Sequence, residues 1–128
     1  MHIHYISEEN SILNHFLAQI RDVNIQKDSM RFRKNIERIG EIMAYELSKT
    51  LDYKEIDVQT PLGIKHTTTI AEPVVLCSIL RAGLALHQGF MSFFDNAENG
   101  FASAYRHHYN NDDKFEILVG YQAAPSFE

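Results

Sequence analysis

Pro73-Val-Val-Leu-Cys-Ser-Ile-Leu-Arg-Ala-Gly-Leu84 is the stretch whose reading decides the fold. Residues Val74 to Leu80 run apolar without the alternation of a half-exposed strand, which predicts a strand covered on both faces of a mostly parallel sheet. An arginine and two small residues follow. Leu84 to Phe94 then read as a helix with Leu86, Phe90 and Phe93 on one side. Beyond it, Asp95 to Gly100 is an expected loop, Phe101 to Tyr105 a strand, His107 to Asp113 a polar loop and Phe115 to Tyr121 a further strand. Strand, helix and strand in this order predict an α/β architecture.

Upstream, the pattern changes period. Ile56 and Val58 alternate with polar neighbours, Thr60-Pro-Leu-Gly63 carries turn chemistry, and Lys65 to Ile70 is rich in β-branched residues, so a β-hairpin is expected. Before it, Phe32, Ile36, Ile39, Met43 and Leu47 recur at helical spacing. That helix should start at a cap on Asp28 or Ser29 and end near Thr50. Residues 8–23 form an earlier amphipathic helix through Ile12, Leu13, Phe16, Leu17 and Ile20, with Ser7 as the expected N-cap and Glu8 and Glu9 in its first turn. Asn24 to Asp28 connects the two. The chain thus divides into N-terminal helices (1–52) and a hairpin with the first part of an α/β core (53–128), read together as one truncated domain. Ending just after a strand, such a sheet is left with an open edge, and further chain is expected beyond it.

Composition sets the outer bounds. A chain of 128 residues, 45% hydrophobic and 23% charged, suits one soluble globular domain. No stretch nears the roughly 20 apolar residues that span a bilayer, and Met1 to Glu9 lacks the basic and apolar regions of a signal peptide. A cytoplasmic protein without membrane partners is expected. The net charge of −5 disfavours a nucleic-acid surface but not a small anion held by a few placed arginines. Cys77 is the one cysteine, so no intrachain disulfide forms, and its apolar surroundings predict a small buried hydrophobe.

The chemistry concentrates after the central strand. In open α/β sheets, ligands bind outside the carboxyl ends of the strands. Arg81 stands there, Gly83 permits close backbone approach, and the following helix start offers N–H groups to anions. A structural arginine paired with a carboxylate explains the same stretch equally well. Arg106, in Ala104-Tyr-Arg-His-His108, also follows an expected strand. If the two strands are parallel neighbours, both arginines open onto one sheet edge and fit a ligand with two anionic groups, such as a diphosphate. No Gly-x-Gly-x-x-Gly or Walker loop is present.

Pro73 to Leu86 resembles the Pro-Ile-Leu-Arg-Ala-Gly-Leu signature of uracil phosphoribosyltransferases. Ile20-Arg-Asp-Val-Asn24 with Met30-Arg-Phe-Arg33, Thr60-Pro-Leu-Gly63 and Ala104-Tyr-Arg106 resemble that family's motifs in the same order. The resemblance implies a type I phosphoribosyltransferase-like fold, incomplete here, with an N-terminal helical segment and a β-hairpin. It further implies transfer of phosphoribosyl from phosphoribosyl diphosphate (PRPP) to uracil, giving UMP and diphosphate in pyrimidine salvage. Mg²⁺ would be bound through PRPP, and the full-length protein would be a homodimer. Arg81 and Arg106 would bind PRPP near its diphosphate, with backbone contacts at Ala82 and Gly83 and no catalytic side chain assigned. The segment after Arg106 corresponds to a hairpin arm in the family. The family's PRPP loop, an Asp followed shortly by Ala-Thr-Gly, has no counterpart here, nor does the C-terminal segment that reads uracil. The isolated chain is therefore expected to be inactive. A non-catalytic, phosphoribosyltransferase-derived anion-binding or regulatory module is the alternative, and a decayed product that does not fold stably is a third reading.

The remaining features have structural explanations. His2 with His4, and His107 with His108, lack a third ligand at motif spacing, so no metal site is assigned. His87 is expected to be a partly buried packing residue, and Asp112-Asp113 a solvated turn.

Overall fold

The computed structural model describes residues 3–108 and 115–124. Their elements follow the order α1 (Ile12–Arg21), a 3-10 turn (Ile25–Lys27), α2 (Ser29–Ser48), β1 (Tyr53–Thr60), β2 (Gly63–Ile70), β3 (Val75–Leu80), α3 (Leu84–Met91), β4 (Glu98–His108) and β5 (Phe115–Ala123). The α/β class expected from the pattern is the class found.

Helix α1 begins later than its acidic prelude predicts. Ser11, not Ser7, is the N-cap, its Oγ accepting from the Leu13 N–H at 3.3 Å. The Glu8 N–H is already committed to the Tyr5 carbonyl at 3.2 Å, in a separate turn that keeps Ser7, Glu8 and Glu9 outside the helix. The connection to α2 is organised by Asp22, whose Oδ1 accepts from the N–H groups of Asn24 at 2.8 Å and Ile25 at 3.1 Å. Asp28 caps α2 as expected, accepting from the Arg31 N–H at 3.0 Å. The two helices meet over Leu13 and Asn35, each 1% exposed. Asn35 is kept satisfied there: its Nδ2 donates to Gln19 Oε1 at 2.7 Å and its Oδ1 accepts from Arg38 at 3.1 Å.

Strands β1 and β2 pair antiparallel from Tyr53↔Ile70 to Thr60↔Gly63, as the period-two pattern predicts. Pro61 and Leu62 make the turn. Gly63 has φ +134°, a region that suits glycine alone, and the Thr60 hydroxyl donates to its carbonyl at 2.7 Å. Asp57 and His66 face each other across this ladder and pair through Oδ1 and Nδ1.

The second sheet has the order β3-β4-β5. β3 and β4 run parallel, from Val75↔Glu98 to Leu80↔Ser103, and β5 returns antiparallel with an irregularity between Ala102 and Ala104. Leu76, Ala44 of α2 and Phe94 are buried together, with Leu51, Ile70, Val74, Phe90, Met91 and Ala97 packed around them. Complete burial of such a Leu or Phe side chain is worth about 1.5–3 kcal/mol. The expected coverage of β3 on both faces is not found among the described residues. Leu76 meets the core, whereas Cys77 is exposed and Ile79 is 62% exposed, because α3, the helix that packs on β3, covers only the face that carries Leu76 and Ser78. The buried setting expected for Cys77 is corrected for the same reason.

Two boundaries also shift. α3 ends at Met91, where the Phe93 and Phe94 N–H groups both turn back to the Phe90 carbonyl, and Phe93 stays 53% exposed instead of joining Leu86 and Phe90. β4 begins at Glu98 and runs through His108, so part of the expected Asp95–Gly100 loop and the His107-His108 pair belong to a strand. Asp112 and Asp113 fall outside the described residues.

Candidate anion-binding site

The parallel register sets the C-terminal end of β3, Leu80, beside Ser103, and β4 continues past it to His108. At that edge lies an open cleft of about 690 Å³, lined by β3 from Cys77 to Leu80, the turn Arg81-Ala82-Gly83, Leu86 of α3, and Ala104 and Tyr105 of β4. Arg81 is the one charged residue among the described residues of this lining, and it is exposed. The cleft therefore presents a permanent guanidinium against a largely uncharged wall, an arrangement suited to the planar, forked recognition of phosphate oxygens.

The turn holding Arg81 is compact. The Leu80–Arg81 peptide is cis. The Gly83 N–H donates to Ile79 O at 3.0 Å and the Leu84 N–H to Arg81 O at 3.2 Å. These two N–H groups are thus engaged within the turn, which reduces the set that the start of α3 can offer to an anion. Gly83 itself is required by the chain's own approach: a Cβ there would lie 2.8 Å from Ile79 O. Its φ of −69° is ordinary, so crowding and not backbone conformation selects glycine.

The predicted site residues are brought to one edge but not all into one cavity. Arg81, Ala82 and Gly83 line the cleft. Arg106 follows the lining residue Tyr105 on β4, opposite Ile117 of β5 and outside the cleft wall. Consecutive strand residues face opposite sides, so Tyr105 and Arg106 project from opposite faces of the β4–β5 ribbon. Among the described residues no group of three or more His, Cys, Asp or Glu side chains converges on a common point. His4 approaches Glu46 at 3.6 Å, and His107 lies opposite Glu116 in the strand register.

Behind the cleft is a chain of polar groups that sequence patterning did not reveal. His87, expected to be partly buried packing, is 6% exposed and bonded at both ring nitrogens. Its Nδ1 lies 2.7 Å from Ser78 Oγ and its Nε2 2.7 Å from Asn99 Oδ1. The available signal was a histidine at the fourth position of a helix in which Gln88 is the one other polar side chain. Its partners stand on β3 and β4, where no local spacing connects them.

Comparison with known proteins places this geometry. The family model described as uracil phosphoribosyltransferase matches residues 6–118. A uracil phosphoribosyltransferase of Porphyromonas gingivalis is 47% identical over 98% of this chain and 57% of its own length. One from Thermococcus gammatolerans is 36% identical over 95% of this chain and 53% of its own, and one from Sulfolobus acidocaldarius 40% identical over 86% and 49%. A solved structure of an Aquifex aeolicus protein superimposes with a TM-score of 0.76 at 26% identity, covering 94% of this chain and 55% of that one. The chain thus spans about half the length of these relatives. Fold, motif order and extended sequence identity agree, and this chain belongs to the uracil phosphoribosyltransferase family.

Proposed function

We propose that the protein containing this chain transfers a phosphoribosyl group from PRPP to uracil, forming UMP and releasing diphosphate, and that this portion supplies the diphosphate side of the site. The observation that carries the reading is Arg81, the single charge among the described residues of a cleft where β3 ends beside its parallel neighbour β4, within a chain of this family. As the anomeric C–O bond of PRPP breaks, negative charge builds on the departing diphosphate. A guanidinium already in place stabilises that charge without reorganising, which is typically a large part of catalysis. Arg106, on β4 beyond the cleft wall, is proposed as a second cation for the same ligand, while the turn backbone at Ala82 contacts the anion directly; the Gly83 N–H, committed to Ile79 O, does not.

The described residues do not fit a protein-built Mg²⁺ site, because no carboxylate among them lines the cleft. Mg²⁺ belongs to this reading only as a companion of the PRPP oxygens, which are hard donors suited to it. No helix among the described residues is long and apolar enough to cross a membrane. A cytoplasmic homodimer is the proposed setting, and turnover by residues 1–128 alone is not expected.

The test is product formation. The native gene product, given uracil, PRPP and Mg²⁺, should yield UMP and diphosphate, with Arg81→Ala removing the activity. A folded native product that binds diphosphate without forming UMP would favour the alternative, a non-catalytic anion-binding module.

A further inference from the structure

His87 makes contacts that a packing residue does not need. The Asn99 amide nitrogen donates to Ala97 O at 3.1 Å, which turns Oδ1 toward the histidine. An amide oxygen only accepts, so Nε2 carries a hydrogen. In the neutral ring Nδ1 then accepts the Ser78 hydroxyl proton. The imidazole also lies against Phe101, with ring centroids 5.0 Å apart. The backbone N–H of His87 makes the ordinary first-turn bond of α3, donating to Gly83 O at 2.9 Å, which any residue there would keep.

The imidazole joins α3 to β3 at Ser78, the helix backbone closes on the far end of the turn at Gly83, and the imidazole reaches β4 at Asn99. Arg81 stands between the first two of these points. We infer that His87 is a positioning residue, which through the chain Ser78–His87–Asn99 holds the Arg81 turn in register with β4 for capture of a diphosphate group. The inference rests on the reading of the cleft as a diphosphate site. Its physical basis is preorganisation: a long, exposed arginine binds tightly only if the backbone carrying it is ordered before the anion arrives. A phenylalanine at 87 would fill much of the same volume but leave Ser78 and Asn99 without their partner, so that α3, which receives the exit of the turn, would keep only packing against the sheet.

The experiment is calorimetric titration of inorganic diphosphate with Mg²⁺ into the 128-residue chain and its variants, with thermal midpoints measured in parallel. His87→Phe should lose about tenfold in affinity, as expected for removal of one partner from buried hydrogen bonds. His87→Gln, whose amide can still donate to Asn99, should recover most of that loss. Leu13→Ala, a destabilising change between α1 and α2, should lower the midpoint but leave the affinity of the folded chain intact. Nitrogen-15 NMR of the wild type should show the Nε2–H tautomer at His87. Wild-type affinity in His87→Phe, equal losses in the Phe and Gln variants, or an equal loss in Leu13→Ala would each overturn the positioning role. Should His87→Phe not fold, Asn99→Ala decides: several-fold weaker binding supports the role, and unchanged binding refutes it. A wild-type chain that fails to bind diphosphate removes the underlying reading of the cleft, and the inference with it. Binding that survives every His87 and Asn99 change removes the inference alone.

Discussion

Gly40 of α2 and Gly89 of α3 face each other at the crossing of the two helices, where a Cβ on Gly89 would stand 2.9 Å from the Gly40 Cα and 2.1 Å from the Glu37 carbonyl oxygen. A Cβ on Gly40 would in turn meet Leu86 O at 2.5 Å. The obstructing atoms are backbone and cannot rotate away, so any side chain here must push the helices apart. Since α3 carries both His87 and the exit of the Arg81 turn, this crossing links the N-terminal helices to the cleft. Gly89→Ala should destabilise the chain by about 3 kcal/mol, the upper part of the usual overpacking range. Urea denaturation would check it, and a stability equal to wild type would contradict the crossing.

Acid sensitivity should be partly traceable to Asp28. The backbone hydrogen bond from Arg31 at the start of α2, aided by the Arg31 charge, holds its carboxyl below the usual aspartate range. A group whose pKa is lowered by folding contributes stability above its unfolded pKa and loses it as pH falls through the folded value. Thermal midpoints should therefore decline more on the acid side for wild type than for Asp28→Asn, with wild type the more stable near neutrality. Parallel acid limbs for the two proteins would speak against the cap.

Cys77 offers a chemical probe of the cleft. It is exposed and lies on the cleft wall with Arg81. A thiol reagent should modify it in the native chain without denaturant, and saturating diphosphate should slow the reaction severalfold by occupying the space in front of it. No modification before unfolding would restore the buried position expected from its apolar neighbours.

The sequence made the elements legible more readily than their surroundings. The period change near Lys54, the Thr60-Pro-Leu-Gly63 turn and the Asp28 cap all act through local geometry, and each appears where its spacing predicts. Ser7 and Ser11 are chemically equivalent caps, and only the Tyr5–Glu8 turn separates them. Cys77 shows a second kind of loss: an apolar run does not say which of its faces another layer covers. Glu98 and Asn99 joined β4 through parallel pairing with Val75 and Leu76, a long-range cause that overrides their own loop preference. Arg81, Ala82 and Gly83 were found from the strand-to-helix punctuation around them. His87 was not, because its role depends on Ser78 and Asn99, which meet it only once the strands and helix are assembled.

The central claim is that the Arg81 cleft binds the diphosphate of PRPP. Equilibrium titration of PRPP with Mg²⁺ into the wild-type chain and Arg81→Ala tests it most directly. Wild type should bind saturably, with inorganic diphosphate competing PRPP away, and removing the guanidinium should cost roughly 10- to 100-fold in affinity, in keeping with one or two charge-assisted hydrogen bonds. Equal affinities for wild type and Arg81→Ala would contradict it.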